Sequence, residues 1–207
     1  MSIESTLILL VLLIISLSVH EAAHAWTADR LGDPTARMLG RLTLNPLAHI
    51  DWIGTVLFPL LMIYSNAPLL GWAKPVPVNM NNLRHPRRDF ALVAVAGPVS
   101  NLVQGLISAV LLMALTRDEV VMASDLSPAG LSFQFLILNI SLAVFNMLPV
   151  PPLDGGNVLA GILPEAGARL IDALRPYGFL VLYALLLTGV LGNVMFPIIR
   201  EIVGWLT

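Results

Sequence analysis

Not one cysteine occurs in the 207 residues, so disulfides and thiolate metal sites are both excluded, and any metal must be held by nitrogen and oxygen. Charge is scarce as well. Asp, Glu, Lys and Arg make up 12% of the chain, against about 25% in an average soluble domain. There is no basic stripe suited to nucleic acid, and a formal net charge of −2 singles out no charged partner. The opening Met-Ser-Ile-Glu-Ser has no Lys or Arg and carries Glu4. That argues against a secretory signal peptide, although Ala23-His24-Ala25 mimics a small-x-small cleavage site. Internal repeats and low-complexity tracts are missing too. What remains is apolar, with 57% hydrophobic residues and a mean hydropathy of +0.84. This is the composition of an integral membrane protein.

The apolar segments fall at about 5–30, 52–66, 90–116, 130–149 and 177–200. About 20 helical residues cross a hydrocarbon core of ~30 Å, so the first, third, fourth and fifth are predicted to span. The second, "WIGTVLFPLLMIYSN", is short and carries Pro59, which suits a re-entrant or interfacial element. "TARMLGRLTLNPLAHID" alternates weakly around Gly40 and Asn45-Pro46, and the pattern predicts a small β-hairpin at the membrane edge. "GWAKPVPVNMNNLRHPRRD" is rich in Pro and Asn and is predicted to be an extended loop. "EAGARLIDALRP" puts Ala166, Leu170, Ile171 and Leu174 on one side, as an interfacial amphipathic helix does. The expected fold is an all-α polytopic membrane protein of four to five transmembrane helices around a three-helix core, with a small β-hairpin or re-entrant element. Residues 1–207 form one domain in this reading. Its core segments are about 5–30, 90–116 and 130–156, its re-entrant or interfacial region about 36–80, and its C-terminal helix about 177–205.

Basic residues set the orientation. Arg30, Arg37 and Arg41 follow the first span, Lys74, Arg84, Arg87 and Arg88 precede the third, and the 117–129 loop is acidic on balance. If 52–66 does not cross, all seven basic residues share one face, which the positive-inside rule makes cytoplasmic.

Against this apolar background "SVHEAAHAW" (18–26) stands out. Residues four apart share a helix face, so His20 and His24 can direct their rings at one ion while Glu21 reaches a water on it. This is the zincin pattern H-E-x-x-H, two zinc ligands and a general base. The bland alternative is a helix end whose imidazoles satisfy backbone groups. The depth of the motif weighs against it, since an ionisable group inside the bilayer costs about 2.5–3.5 kcal/mol unless something compensates, and a divalent cation does. A catalytic zinc usually has three protein ligands. His49, beside Asp51, and His85, among Arg84, Pro86 and Arg87, are expected to be solvated. The best oxygen donor is Asp154 in "FNMLPVPPLDGG", where Pro149, Pro151 and Pro152 must unwind the helix. An ordinary Asp-Gly turn is its alternative. With 52–66 re-entrant, the fourth segment runs toward the inner face and brings Asp154 level with the histidines. Asn101, in a Gly97-x-x-x-Asn101-x-x-x-Gly105 stripe, is expected to serve tight helix packing.

"HEAAH" in a first span, "AGPVSN" (96–101) and "NMLPVPPLDGG" together resemble the site-2 protease family, the zinc metalloproteases that cut within membranes. "GWAKPVPVN" is similar to a loop of the small prokaryotic members. The resemblance implies one Zn2+ per chain held by His20, His24 and Asp154, with Glu21 as catalytic base. It places Asn146 near the scissile carbonyl, where an interhelical hydrogen bond is the competing use, since Asn139 lies seven residues earlier on the same face. It also implies a multi-pass location in a prokaryotic plasma membrane, a transmembrane protein or peptide as substrate, and a site nearer the cytoplasmic face. The length leaves no room for a PDZ or CBS domain. Two other functions fit the same residues: a membrane metal transporter, and a proteolytically inactive relative that binds helices.

Overall fold

The computed structural model describes residues 3–64, 72–116 and 126–207. Its α-helices, in chain order, are α1 (Ile3–Arg30), α2 (Thr35–Met38), α3 (Phe58–Tyr64), α4 (Pro86–Thr116), α5 (Pro128–Asn146), α6 (Asp154–Ile162), α7 (Glu165–Leu174), α8 (Gly178–Leu187) and α9 (Val190–Leu206). Helices α1, α4 and α5 are each long and apolar enough to cross a membrane, and so is the composite Glu165–Leu187. Between them the packing logic of a soluble protein is inverted. Outward faces are greasy, with Leu7, Val11 and Ile15 on α1 and Leu102, Leu106 and Ile107 on α4 exposed. Ser16, Asn101, Asn139 and Ser108 are buried among the helices. Lipid gives apolar side chains no reason to turn inward, so small residues and interhelical hydrogen bonds specify the contacts. Helix α4 is the hub: α1, α5 and α6 all pack on it. Ser108 Oγ donates to Ser132 O of α5 at 2.7 Å.

The structure corrects two expectations. No strand occurs among the described residues, and the predicted hairpin near 36–49 is instead α2 followed by a 3-10 turn at Pro46–Ala48. Its weak alternation is overridden by local side-chain-to-backbone hydrogen bonds. Asp33 Oδ1 accepts the Thr35 N–H at 3.1 Å and starts α2. Asn45 Oδ1 accepts from Leu47 N–H at 3.1 Å, with Pro46 at the first position of the turn. Asn-Pro therefore acts here as a helical-turn start. The second correction concerns the C-terminal helix expected over about 177–205, which is broken at Gly189. That residue sits at φ +73°, a left-handed conformation that glycine adopts without a Cβ clash. Upstream, a 3-10 turn at Arg175–Tyr177 joins amphipathic α7 directly to α8, so the membrane-length element is 165–187 rather than 177–200. Residues 52–64 form a π-helical turn (Trp52–Leu57), capped by Asp51, and α3; they are not among the membrane-length helices. The 65–71 stretch and most of the acidic 117–129 loop, residues 117–125, lie outside the described residues.

Asp33, buried after the end of α1, ties that end to the segment before α4. It accepts from Asn79 N–H at 2.7 Å and from Asn82 Nδ2 at 2.8 Å. Nearby, Arg84 N–H donates to Leu31 O at 3.4 Å and Arg41 donates to Lys74 O at 2.6 Å, so the basic segments meet at one end of the bundle. Burial alone would raise the Asp33 carboxyl, but hydrogen bonds from Thr35, Asn82 and Asn79 outweigh it and hold the group below the usual carboxylate range. The stability it contributes is whole above the ordinary Asp value of about 3.9 and fades as pH falls through the lower folded-state value. Asp33→Ala is expected to cost about 2 kcal/mol or more at pH 7. Its deficit relative to wild type should shrink on acidification, as read by thermal unfolding in detergent from pH 7 to pH 3.

Candidate metal centre

Helical spacing brings His20 and His24 to one face of α1, with their Nε2 atoms 3.0 Å apart. Asp154 comes from the other half of the chain. After Asn146 the backbone folds tightly through 147–153, with Val150 N–H on Leu148 O at 2.8 Å and Leu153 N–H on Val150 O at 3.0 Å. α6 then starts on Asp154 itself. Gly155 lets this turn close, because a Cβ there would lie 2.3 Å from Met147 O. The result puts Asp154 Oδ2 at 3.2 Å from His20 Nε2 and 3.4 Å from His24 Nε2. His20, Glu21 and His24 are all buried and offer donor atoms within 4.8 Å of one another.

The hydrogen bonds behind the rings establish where the protons are. His24 Nδ1 faces the Val93 carbonyl at 2.7 Å; a carbonyl only accepts, so Nδ1 carries the proton. For His20 the argument starts further away. Asn139 Nδ2 donates to Phe135 O and to Ser16 Oγ, both at 3.0 Å, and this orients the Asn139 amide. Its Oδ1 then accepts from Asn101 Nδ2 at 2.8 Å, which turns Asn101 Oδ1 onto His20 Nδ1 at 2.6 Å. His20 Nδ1 must therefore be the donor. With the rings neutral, both Nε2 atoms then present lone pairs, and the Asp154 Oδ2 they face is buried without a hydrogen-bond donor. A single proton could relieve only one edge of this triangle. The edges of 3.0, 3.2 and 3.4 Å match the ~3.3 Å spacing of donors held about 2.0–2.1 Å from one tetrahedral ion. The residues fit a divalent metal.

Gly97 of α4 forms the floor, where a Cβ would lie 2.4 Å from His24 Nε2 and 2.5 Å from His20 Nε2. Above it opens a cavity of about 710 Å³, walled by Phe58, Trp72, Phe145, Asn146 and Tyr183 among others. Asn146 lines it and donates to Leu142 O of its own helix at 3.1 Å; the interhelical hydrogen bonds on this face are made by Asn139, to Asn101 and Ser16. His49 is not solvated: it is buried, its Nε2 lies 2.8 Å from Thr43 O, and Lys74 N–H donates to its carbonyl. It stands outside the histidine–carboxylate group. His85 is exposed as expected. Asn101 is the residue that sequence reasoning undervalued. It packs, but it also holds His20, and the signal was its position one turn beyond Gly97 on the face turned toward α1.

Such supporting hydrogen bonds tune metal affinity by about 10–100-fold. Asn101→Leu is expected to weaken Zn2+ binding by that factor, measured by competition with a chelator, while the helix content stays unchanged. Gly97→Ala is expected to abolish binding in the same assay, because the methyl group occupies the position of the rings.

The profile of Peptidase family M50 matches residues 120–189, which include Asp154. YwhC of Bacillus subtilis (strain 168), by name a candidate zinc metalloprotease, is 38% identical over 195 residues, 93% of this chain and 85% of its own. Rip2 of Mycolicibacterium smegmatis, named in the same way, is 33% identical over 192 residues, 93% of this chain and 70% of its own. Rip2 of Mycobacterium tuberculosis (strain H37Rv) is 31% identical over 186 residues, 90% and 69%. No solved structure gives a significant match. With whole-length similarity of this kind on both halves of the donor cluster, the chain belongs to peptidase family M50, the site-2 protease family.

Proposed function

We propose that the chain is an intramembrane zinc metalloprotease that hydrolyses peptide bonds within or near the transmembrane helices of membrane-tethered substrates. One observation carries the reading: two imidazole Nε2 atoms and a carboxylate oxygen converge within 3.4 Å, with Glu21 beside the first histidine. His20, His24 and Asp154 would hold one Zn2+, which supplies a Lewis acid that polarises the scissile carbonyl and acidifies water. The Glu21 carboxylate accepts the proton of the attacking water and passes it to the departing amide nitrogen, which completes the hydrolysis. Asn146 gives one amide N–H to Leu142 O and directs the other at the oxyanion. The apolar wall formed by Phe58, Trp72 and Phe145 suits a stretch of apolar substrate. The gathering of Arg30, Arg37, Arg41, Lys74, Arg84, Arg87 and Arg88 at the end of the bundle where 31–41 meets 74–84 favours a cytoplasmic site in a prokaryotic plasma membrane.

The test uses the protein in liposomes with a panel of single-span peptides whose apolar span carries a central Gly-Pro break. Wild type loaded with Zn2+ is expected to cut at least one peptide, to stop on chelation and to recover on Zn2+ addition. Glu21→Gln should retain the metal and lose about 10²–10⁴-fold in rate. Cleavage that persists in Glu21→Gln sinks the reading. Zn2+ flux without cleavage assigns the site to transport, and bound Zn2+ with neither flux nor cleavage assigns it to an inactive relative.

A further inference from the structure

The segment "WAKPVPVN" (72–79) has no role in the chemistry so far, yet it crosses the cavity, which Trp72, Ala73, Pro75, Val76 and Val78 line. Both of its ends are anchored. Trp72 N–H donates to Gly54 O at 3.0 Å and Lys74 N–H to His49 O at 2.9 Å. Trp72 O accepts from Thr55 Oγ1 at 2.8 Å and Lys74 O from Arg41 at 2.6 Å. At the far end Asn79 N–H reaches Asp33 Oδ2 at 2.7 Å. Between these anchors the prolines at 75 and 77 have no N–H, so the tripeptide 75–77 offers a single backbone donor. That donor, Val76 N–H, lies 2.9 Å from Glu21 Oε2.

We propose that the Val76 main-chain N–H is the positioning group for Glu21, holding Oε2 so that Oε1 is presented to the reacting water. The proposal rests on Glu21 being the base. A glutamate side chain has three rotatable bonds, and its catalytic value depends on being held in one place. An anchored main-chain donor does this without a mobile side chain of its own. The flanking prolines add to the stiffness, since Pro77 confines Val76 to extended conformations. They also leave Glu21 no neighbouring N–H to slip onto. This gives Pro-Val-Pro a physical purpose: a rigid tripeptide with a single donor at its centre.

The experiment has two arms, both on the Zn2+-loaded full chain. Because 75–77 contain a single exchangeable amide, hydrogen exchange followed by mass spectrometry reads the Val76 N–H directly. Wild type is expected to exchange it at least tenfold more slowly than an unprotected amide, and Glu21→Ala to release it. The second arm measures cleavage of the same single-span peptides. Val76→Pro deletes the donor in a segment already held extended; it is expected to keep its Zn2+ and its KM while kcat falls about 10–100-fold, the scale of a misplaced catalytic group. Val76→Ala keeps the N–H and should retain kcat. An unprotected Val76 amide in wild type overturns the proposal whether or not Val76→Pro folds. So does a Val76→Pro variant as active as wild type or more so, which would make the segment a filler or a plug. A Val76→Ala variant that falls as far as Val76→Pro also overturns it, assigning the effect to the side chain. A wild type that cuts no peptide is a failure of the protease reading itself, separable from all of these.

Discussion

Two imidazole lone pairs and a carboxylate oxygen, pressed to within 3.4 Å of one another in a buried pocket, repel unless a cation lies between them. The rest of the structure answers to that constraint. The Val93 carbonyl and the Asn101 amide take the outward ring protons and leave both inward nitrogens bare. Gly97 keeps α4 close enough to wall the site without intruding on it. The Pro-rich turn after α5 brings the Asp154 carboxylate to the two rings. None of these features has an evident use in a helix bundle that merely spans a bilayer, and each has one around a metal.

The polar relay Ser16–Asn139–Asn101–His20 also shows how such a bundle is specified. Three helices, α1, α4 and α5, are stitched by hydrogen bonds between buried side chains. In hydrocarbon such groups must pair or stay unsatisfied, so the relay sets helix register. It also passes a proton assignment from a backbone carbonyl on α5 to a ring on α1. Structural and functional roles coincide in the same amides, which is why Asn101, read as packing alone, is half understood.

Several features misread from sequence failed for a common reason, the override of a local pattern by a specific hydrogen bond or conformation. Weak alternation over 36–49 suggested strands, yet Asp33 holds the first N–H of α2 and Asn45 caps a 3-10 turn. His49 sits in a polar stretch beside Asp51, yet it is buried, with its ring on Thr43 O and its carbonyl held by Lys74 N–H. The apolar run after 177 is continuous in hydropathy, and one left-handed glycine splits it. Hydropathy averages over side chains and is blind to a single φ angle or a single cap. It was reliable for α1, α4 and α5, whose length in hydrocarbon is set by bilayer thickness.

The donor types gathered at the candidate site were therefore legible in the letters alone. With no cysteine, a histidine pair at helical spacing next to a glutamate inside an apolar run narrows the donors to nitrogen and oxygen, and helix periodicity alone turns both rings to one side. Three-dimensional packing had to supply the remainder. The meeting of Asp154 with those rings, the tautomers imposed through Asn101, and the Val76 amide on Glu21 all join residues 50 or more positions apart. Whether such groups touch depends on how the intervening helices pack, and no local spacing rule encodes that.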